Sequence, residues 1–233
     1  MRVFICRSNE ENMLLRKKLE LLKYDVLAVD LLHYNIIEKQ ELYQNLADKN
    51  HDQILNIIIT SKFCAKILRD QIKISCNIFI VGNESAKIIQ NNDNINRMYI
   101  YSNVKELKKN LYPHINHYDK QNFIYYSGNH ITEEILNVQR KIIYTTQYIS
   151  DFSKNTINNF IKNPPTHILL YSKNASSNLF KILQKNNLLP LIKKSAVIGL
   201  SSSITQNFAN QCTTLYSIKH DVNDMLDVLR KNS

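Results

Sequence analysis

Two hydrophobic rhythms alternate along the chain. Short, nearly continuous apolar runs rich in β-branched and aromatic residues predict strands at Arg2–Cys6, Tyr24–Asp30, Ile54–Thr60, Asn77–Val81, Met98–Tyr101, 122–126, 141–147, 166–171, 195–198 and 213–216. Between them, apolar residues spaced three and four apart predict helices. One carries Leu14, Leu15, Leu19 and Leu22, and others span Glu38–Asp48, Ser61–Asp70, Asn83–Gln90, Ser102–Leu111, 130–139, 152–162, 174–186, 201–209 and 221–231. Ser8 and Glu11 have the spacing of a capping box, while Pro113 and Pro164-Pro165 are expected to stop helices. Strand and helix alternate throughout, so the pattern predicts an α/β protein with parallel sheets covered on both faces.

The pattern also repeats. Ile57-Ile-Ile-Thr60 followed by Ser61-Lys-Phe-Cys-Ala65 echoes Ile168-Leu-Leu-Tyr171 followed by Ser172-Lys-Asn-Ala175. Ile78-Phe-Ile-Val81 before Gly82-Asn-Glu-Ser-Ala86 echoes the run ending at Ile198 before Gly199-Leu-Ser-Ser-Ser203. A third echo joins Phe4-Ile-Cys-Arg-Ser-Asn9 to Ile124-Tyr-Tyr-Ser-Gly-Asn129. The chain holds only 3 glycines, Gly82, Gly128 and Gly199, and all of them fall in these echoes. An internal duplication is expected, with two lobes rather than one large domain.

Composition narrows the choice of chemistry. The net charge is +10, yet the basic clusters Arg16-Lys-Lys18 and Lys105 with Lys108-Lys109 fall on solvated helix faces, and no nucleic-acid module is recognisable. Cys6, Cys64, Cys76 and Cys212 are scattered, which suggests neither a zinc site nor a disulfide framework and fits a reducing cytoplasm. His114 and His117 are three apart, but no histidine set has ligand spacing, so no metal is expected. No run approaches the roughly 20 apolar residues of a membrane span. A protein without membrane attachment or nucleic-acid partner is expected. Phosphate-cradling glycine loops and paired carboxylates at strand ends are also missing from the sequence.

Every echoed feature lies where a strand hands over to a helix, the edge at which open parallel sheets bind ligands. Ser61, Ser85, Ser172, Ser201 and Ser202 are small and polar at helix starts, where backbone N–H groups and the helix dipole favour an anion. Gly82, Gly128 and Gly199 allow close approach or an unusual backbone angle. Two lobes whose carboxyl edges face each other across a cleft, holding a ligand with several negative charges, are the expectation.

These residues resemble the uroporphyrinogen-III synthase family. The likeness rests on Arg7 after the first strand, Thr60-Ser61, Val81-Gly82-Asn83-Glu84-Ser85-Ala86, Gly128-Asn129, Ile143-Tyr144-Thr145-Thr146, Ser172 and Ile198-Gly199-Leu200-Ser201-Ser202. Lys173 and Leu200 stand where many members have proline, Ser203 where alanine is usual, and Ser8 where proline often follows the arginine. The resemblance implies two interleaved lobes, residues 1–31 with 147–233 and residues 32–144, joined by hinge strands near 30–34 and 143–148. It implies a linear tetrapyrrole substrate, hydroxymethylbilane, with eight carboxylates, cyclised with loss of water and inversion of ring D, and no cofactor. Arg7, Ser61, Lys62, Gly82, Asn83, Ser85, Gly128, Asn129, Ser172, Lys173, Gly199, Ser201 and Ser202 become the candidate substrate-binding residues, and Tyr144 the catalytic candidate, its phenol hydrogen-bonding the leaving hydroxyl. A cytoplasmic monomer receiving substrate by transient hand-over from hydroxymethylbilane synthase is implied as well. The rival expectation is a non-enzymatic two-lobed binding protein for a small polyanion.

Overall fold

The computed structural model describes residues 1–37, 54–117, 122–131, 133–219 and 221–233. The helix expected over Glu38–Asp48 lies outside them. In chain order the elements begin with β1 (Arg2–Ile5), α1 (Asn9–Leu21), β2 (Asp25–Ala28), β3 (Leu32–Ile36), β4 (Leu55–Ile59), α2 (Lys62–Leu68), β5 (Cys76–Val81) and α3 (Asn83–Ile89). There follow β6 (Ile95–Tyr101), α4 (Val104–His117), β7 (Phe123–Gly128), β8 (Gln139–Tyr148), α5 (Lys154–Lys162), β9 (His167–Leu170) and α6 (Lys173–Lys185). The chain ends with β10 (Ala196–Gly199), α7 (Ser202–Thr205), β11 (Thr213–Tyr216) and α8 (Val222–Lys231).

These elements form two compact units, Met1–His33 with Gln147–Ser233, and Tyr34–Thr146. The first holds a sheet of order β11-β10-β9-β1-β2, parallel at every pair. The second holds a sheet of order β3-β8-β7-β4-β5-β6, parallel from β8 to β6. Written side by side, β2-β1-β9-β10-β11 and β8-β7-β4-β5-β6 match strand for strand with the sequence echoes. The duplication expected from the sequence is therefore visible as two sheets of the same order, entered at different points of the chain.

Strand residues alternate between two buried faces, which explains the nearly continuous apolar runs. In the second unit Leu55, Ile57 and Ile59 of β4 pack under α2 and α3, while Ile58 joins Phe79, Leu107, Leu111 and Ile115 under α4. In the first, Phe4, Ile168 and Leu170 pack with Phe160 of α5 and Leu179, Ile182 and Leu183 of α6. Val3, Ile5 and Leu169 face Leu15 and Leu19 of α1 and Met225, Leu226 and Leu229 of α8.

Several boundaries differ from expectation. Among the described residues the helix expected at 130–139 is absent: this link is irregular where described, with a turn in which Asn137 has φ 61. Ile131, Ile135 and Val138 do pack on the core beside α4, so their helical spacing is satisfied by a loop instead. Helix α4 runs past Leu111 and through Pro113. Proline removes one N–H from the ladder, but the buried stripe of Leu107, Leu111 and Ile115 carries the helix across it. The capping box at Ser8 does not form; the Ser8 hydroxyl donates to Glu11 at 2.9 Å, and Glu11 also pairs with Arg7. Helix 201–209 is a short α turn followed by a 3-10 turn at Gln206–Phe208, and β3 is a strand the apolar pattern did not predict.

Candidate functional site

In a parallel sheet of this order, the connections reverse direction between the second and third strands of each matched set, and a crevice opens there at the carboxyl edge. In the second unit that place lies between the ends of β7 and β4, which puts Gly128-Asn129 beside Thr60-Ser61. In the first it lies between the ends of β1 and β9, which puts Arg7 beside Tyr171-Ser172. The topology thus brings together residues that are far apart in sequence but were singled out from it.

The second unit adds a phenol. Ser61 caps α2, its Oγ accepting the Cys64 N–H at 3.2 Å, and the same Oγ lies 2.8 Å from Tyr144 Oη. Tyr144 is 6% exposed and is ringed by Phe63, at 4.9 Å between centroids, and by Tyr34, at 5.7 Å, both edge-on. Its aim comes from an irregularity in β8. Ser127 pairs with Ile142 but Gly128 pairs with Tyr144, so Ile143 is an extra residue on β8. As a result Ile143 and Tyr144 both enter the same core, although strand alternation alone would send them to opposite faces.

Gly128 is required by this phenol. A β-carbon built on it would sit 2.5 Å from Cε2 and Cζ of Tyr144. Asn129 then grips β8 on either side of Thr145: its N–H donates to the Tyr144 carbonyl at 3.1 Å, and its Oδ1 accepts the Thr146 N–H at 2.8 Å. Thr60, on the other side of the β4 end, exchanges a hydrogen bond of 2.8 Å with Tyr125. At the next strand end, Gly82 takes φ 87 before α3, its N–H bonded to the Tyr101 carbonyl at 2.8 Å. Asn83 and Lys62 are exposed, whereas Ser85 is buried with its N–H on the Gly82 carbonyl.

In the first unit Ser172 caps α6, accepting the Ala175 N–H at 3.2 Å. Burial raises the Tyr148 phenol, and a hydrogen bond with the Ser172 side chain partly offsets that rise. Lys173 is exposed. Arg7 is already engaged, paired with Glu11 and stacked over the Tyr171 ring at 4.2 Å. Gly199 lies against Thr205, whose Cγ2 would be 2.7 Å from an added β-carbon. Ser201 and Ser203 exchange a hydroxyl bond of 3.0 Å, and Ser202 is exposed.

The fold resembles that of a uroporphyrinogen III synthase. A crystal structure of a mutant of that enzyme from the extremely thermophilic bacterium Thermus thermophilus superposes with a TM-score of 0.58 at 8% identity, covering 99% of this chain and 98% of that one. A second structure, of the wild-type enzyme from the same bacterium, gives a TM-score of 0.46 at 8% identity and covers 99% of this chain and 97% of that one. An uncharacterised protein of Rickettsia prowazekii (strain Madrid E) is 26% identical over 92% of this chain and 93% of its own. No protein-family profile matches the sequence.

Other chemistries find little support in the geometry. Burial pushes the Cys6 and Cys76 thiols up to about 12 and Cys212 to about 11, and Cys64 higher still, so none is a thiolate near neutral pH. Among the described residues no group of His, Cys, Asp and Glu is arranged to hold a metal ion, and no helix is long and apolar enough to cross a membrane. Sequence inspection missed the aromatic walls Tyr34 and Phe63 and the arginine Arg140, whose guanidinium bonds the end of β7. Nothing in their local spacing marks them, because each acts on a residue distant in the chain.

Proposed function

We propose that the protein is a uroporphyrinogen III synthase, closing hydroxymethylbilane to uroporphyrinogen III with inversion of ring D. The observation that carries this is the Tyr144 phenol, 2.8 Å from Ser61 at the crevice of the second sheet, in a chain whose fold resembles a solved synthase. Loss of the terminal hydroxyl from a pyrrole-methanol leaves a cation delocalised onto the ring nitrogen, so the step needs a positioned proton rather than a metal or nucleophile. Tyr144 supplies that proton: its O–H hydrogen passes to the departing hydroxyl, and water leaves. The last ring then attacks through its substituted carbon, the spiro intermediate rearranges, and the proton released as the ring regains its aromatic state returns to the phenolate.

Holding the chain in the folded geometry that favours the inverted closure is the larger part of the work. The substrate's carboxylates meet capped helix starts at Ser61 and Ser172, with Lys62 and Lys173 exposed beside them. Asn83 and Ser202 add exposed polar groups at neighbouring strand ends, and the +10 net charge favours a polyanion throughout. The protein acts as a monomer in the cytoplasm without a cofactor, taking an unstable substrate directly from the enzyme that makes it.

Incubation with hydroxymethylbilane, oxidation and chromatographic separation of the uroporphyrin isomers tests the assignment. The III isomer is expected in excess of the spontaneous I isomer. Formation of the I isomer alone, at the rate without protein, overturns it, and recovery of a bound but unchanged tetrapyrrole points to the binding protein instead.

A further inference from the structure

We infer that Arg140 is the positioning residue of the Tyr144 site. This deepens the synthase assignment and rests on it for its catalytic consequence, though not for its structural one. The guanidinium makes three hydrogen bonds to the end of β7. Nε donates to Ser127 Oγ at 2.9 Å, and Nη2 donates to the Gly128 carbonyl at 2.8 Å and the Asn129 carbonyl at 3.2 Å.

The need for such a residue follows from the connection. Parallel neighbours are ordinarily joined through a helix, whose start fixes the preceding turn. The turns at Ser61 and Gly82 have that support from α2 and α3. The turn at Gly128-Asn129 does not, because 130–138 is irregular where described. Its carbonyls still require donors. Arg140, half-buried on β8 and opposite Tyr125 in the register, reaches forward along the sheet to provide them.

What Arg140 holds is what holds Tyr144. The Gly128 backbone lies against the Tyr144 ring, and Asn129 is bonded to β8 at Tyr144 and Thr146. Arg140 thus grips the turn from its carbonyl side while Asn129 grips the bulged strand with its N–H and side chain. Releasing the arginine frees the turn, the turn releases β8, and the phenol loses its fixed distance to Ser61. A lysine keeps the charge but cannot bond Ser127 and the two carbonyls with one planar fork.

Two readouts on Arg140→Ala and Arg140→Lys decide this. The first is amide hydrogen exchange by NMR, which requires no activity. In Arg140→Ala, exchange at Asn129 and Thr146 is expected to accelerate by about tenfold or more, the loss of one charge-assisted hydrogen bond, with Ile57 and Ile78 on β4 and β5 unchanged. Unchanged exchange at Asn129 and Thr146 overturns the inference. The second is turnover of hydroxymethylbilane normalised to folded protein. A fall in kcat of about tenfold or more with KM little changed, restored by millimolar guanidinium in Arg140→Ala and not by Arg140→Lys, is expected. Turnover equal to wild type in Arg140→Ala overturns it. Wild-type protein that yields only the I isomer sinks the synthase assignment instead, and the exchange measurement still decides the role of Arg140.

Discussion

The Tyr144 ring occupies the space where a side chain at residue 128 would begin: a β-carbon there meets Cε2 and Cζ at 2.5 Å. The Gly128→Ala substitution therefore has to displace the ring or the end of β7. Overpacking of this kind costs about 1–3 kcal/mol, and denaturant unfolding is expected to report that loss. Combining Gly128→Ala with Tyr144→Leu removes the ring, so the double variant is expected to lose less than the sum of the two single losses. Additive costs indicate that the ring does not rest on Gly128.

Replacing Tyr144 by Phe keeps the ring against Gly128 and removes only the hydroxyl that meets Ser61 at 2.8 Å. Stability falls by about 0.5–1.5 kcal/mol for a net hydrogen bond. Proton transfer from a positioned acid contributes about 10²–10⁴-fold in rate, so formation of the III isomer is expected to fall by that order while folding is retained. Undiminished III formation by Tyr144→Phe removes the phenol from the chemistry.

The contrast between these two residues shows what was legible in the sequence. Gly128 was visible because glycine is scarce here and the strand before it is unbroken; Ser61, Gly82, Ser172 and Gly199 were marked the same way, by a strand run giving way to a helix start. The position of Tyr144 was not visible, since it depends on Ile143 being an extra residue opposite Gly128 and on a partner 83 residues away. Arg140 was missed for a related reason, since it bonds Ser127, Gly128 and Asn129 across the register. The link after Asn129 misled in the opposite sense. Ile131, Ile135 and Val138 have helical spacing and are packed inward, but Asn137 at φ 61 and the short path from β7 to β8 leave them in a loop. Periodicity reports which side chains are buried, and only indirectly which backbone buries them.

His167 gives the first unit a dependence on pH. It is 5% exposed at the start of β9, with Nδ1 3.0 Å from Thr166 Oγ1 and Nε2 3.1 Å from the Asn232 carbonyl. A carbonyl only accepts, so Nε2 carries the hydrogen; Thr166 gives its own hydroxyl hydrogen to the Arg2 carbonyl at 2.8 Å, so Nδ1 of the neutral ring takes none from it. Burial holds its pKa below the ordinary 6.5. Since the unfolded chain binds the proton more readily, this contribution to stability is complete above about pH 6.5 and is lost as pH falls through the lower folded value. Unfolding measured against pH is expected to show stability declining in that window, and His167→Gln is expected to flatten it. Asp151, held at about 2 chiefly by hydrogen bonds from Lys185 and Asn186, loses its part only below the ordinary carboxylate range, so the two windows are separable. A decline of equal size in wild type and His167→Gln excludes the histidine as its source.

Tyr125 and Tyr126 are consecutive on β7 and face opposite cores. Tyr125 shares a hydrogen bond with Thr60, whereas the Tyr126 hydroxyl is buried without a hydrogen-bond partner among the described residues. Burying such a group unpaired costs about 1–3 kcal/mol. Tyr126→Phe is accordingly expected to be neutral or stabilising, and Tyr125→Phe to lose about 0.5–1.5 kcal/mol. Comparing the two midpoints in urea tests this ordering, and a destabilised Tyr126→Phe reverses it.

Tyr148 stands to Ser172 in the first unit as Tyr144 stands to Ser61 in the second. Each serine caps the helix after its strand, at Ala175 and Cys64, and each has a β8 tyrosine on its hydroxyl. The helix N–H fills one acceptor position on each serine oxygen, and with the serine hydrogen given to the tyrosine oxygen the phenol keeps its own hydrogen for a ligand oxygen. Among the described residues only the second unit has the bulge and the glycine that press its phenol into the core, which makes Tyr144 the fixed member of the set and Tyr148 the half-buried one. Tyr148→Phe is therefore expected to weaken substrate binding by a few-fold through loss of its phenol hydrogen, about the worth of one neutral hydrogen bond, while kcat and the III to I ratio stay near wild type. The KM and isomer ratio of Tyr148→Phe and Tyr144→Phe, measured together, check the division of labour. A loss of III formation in Tyr148→Phe as deep as in Tyr144→Phe contradicts it and makes the two phenols equal partners.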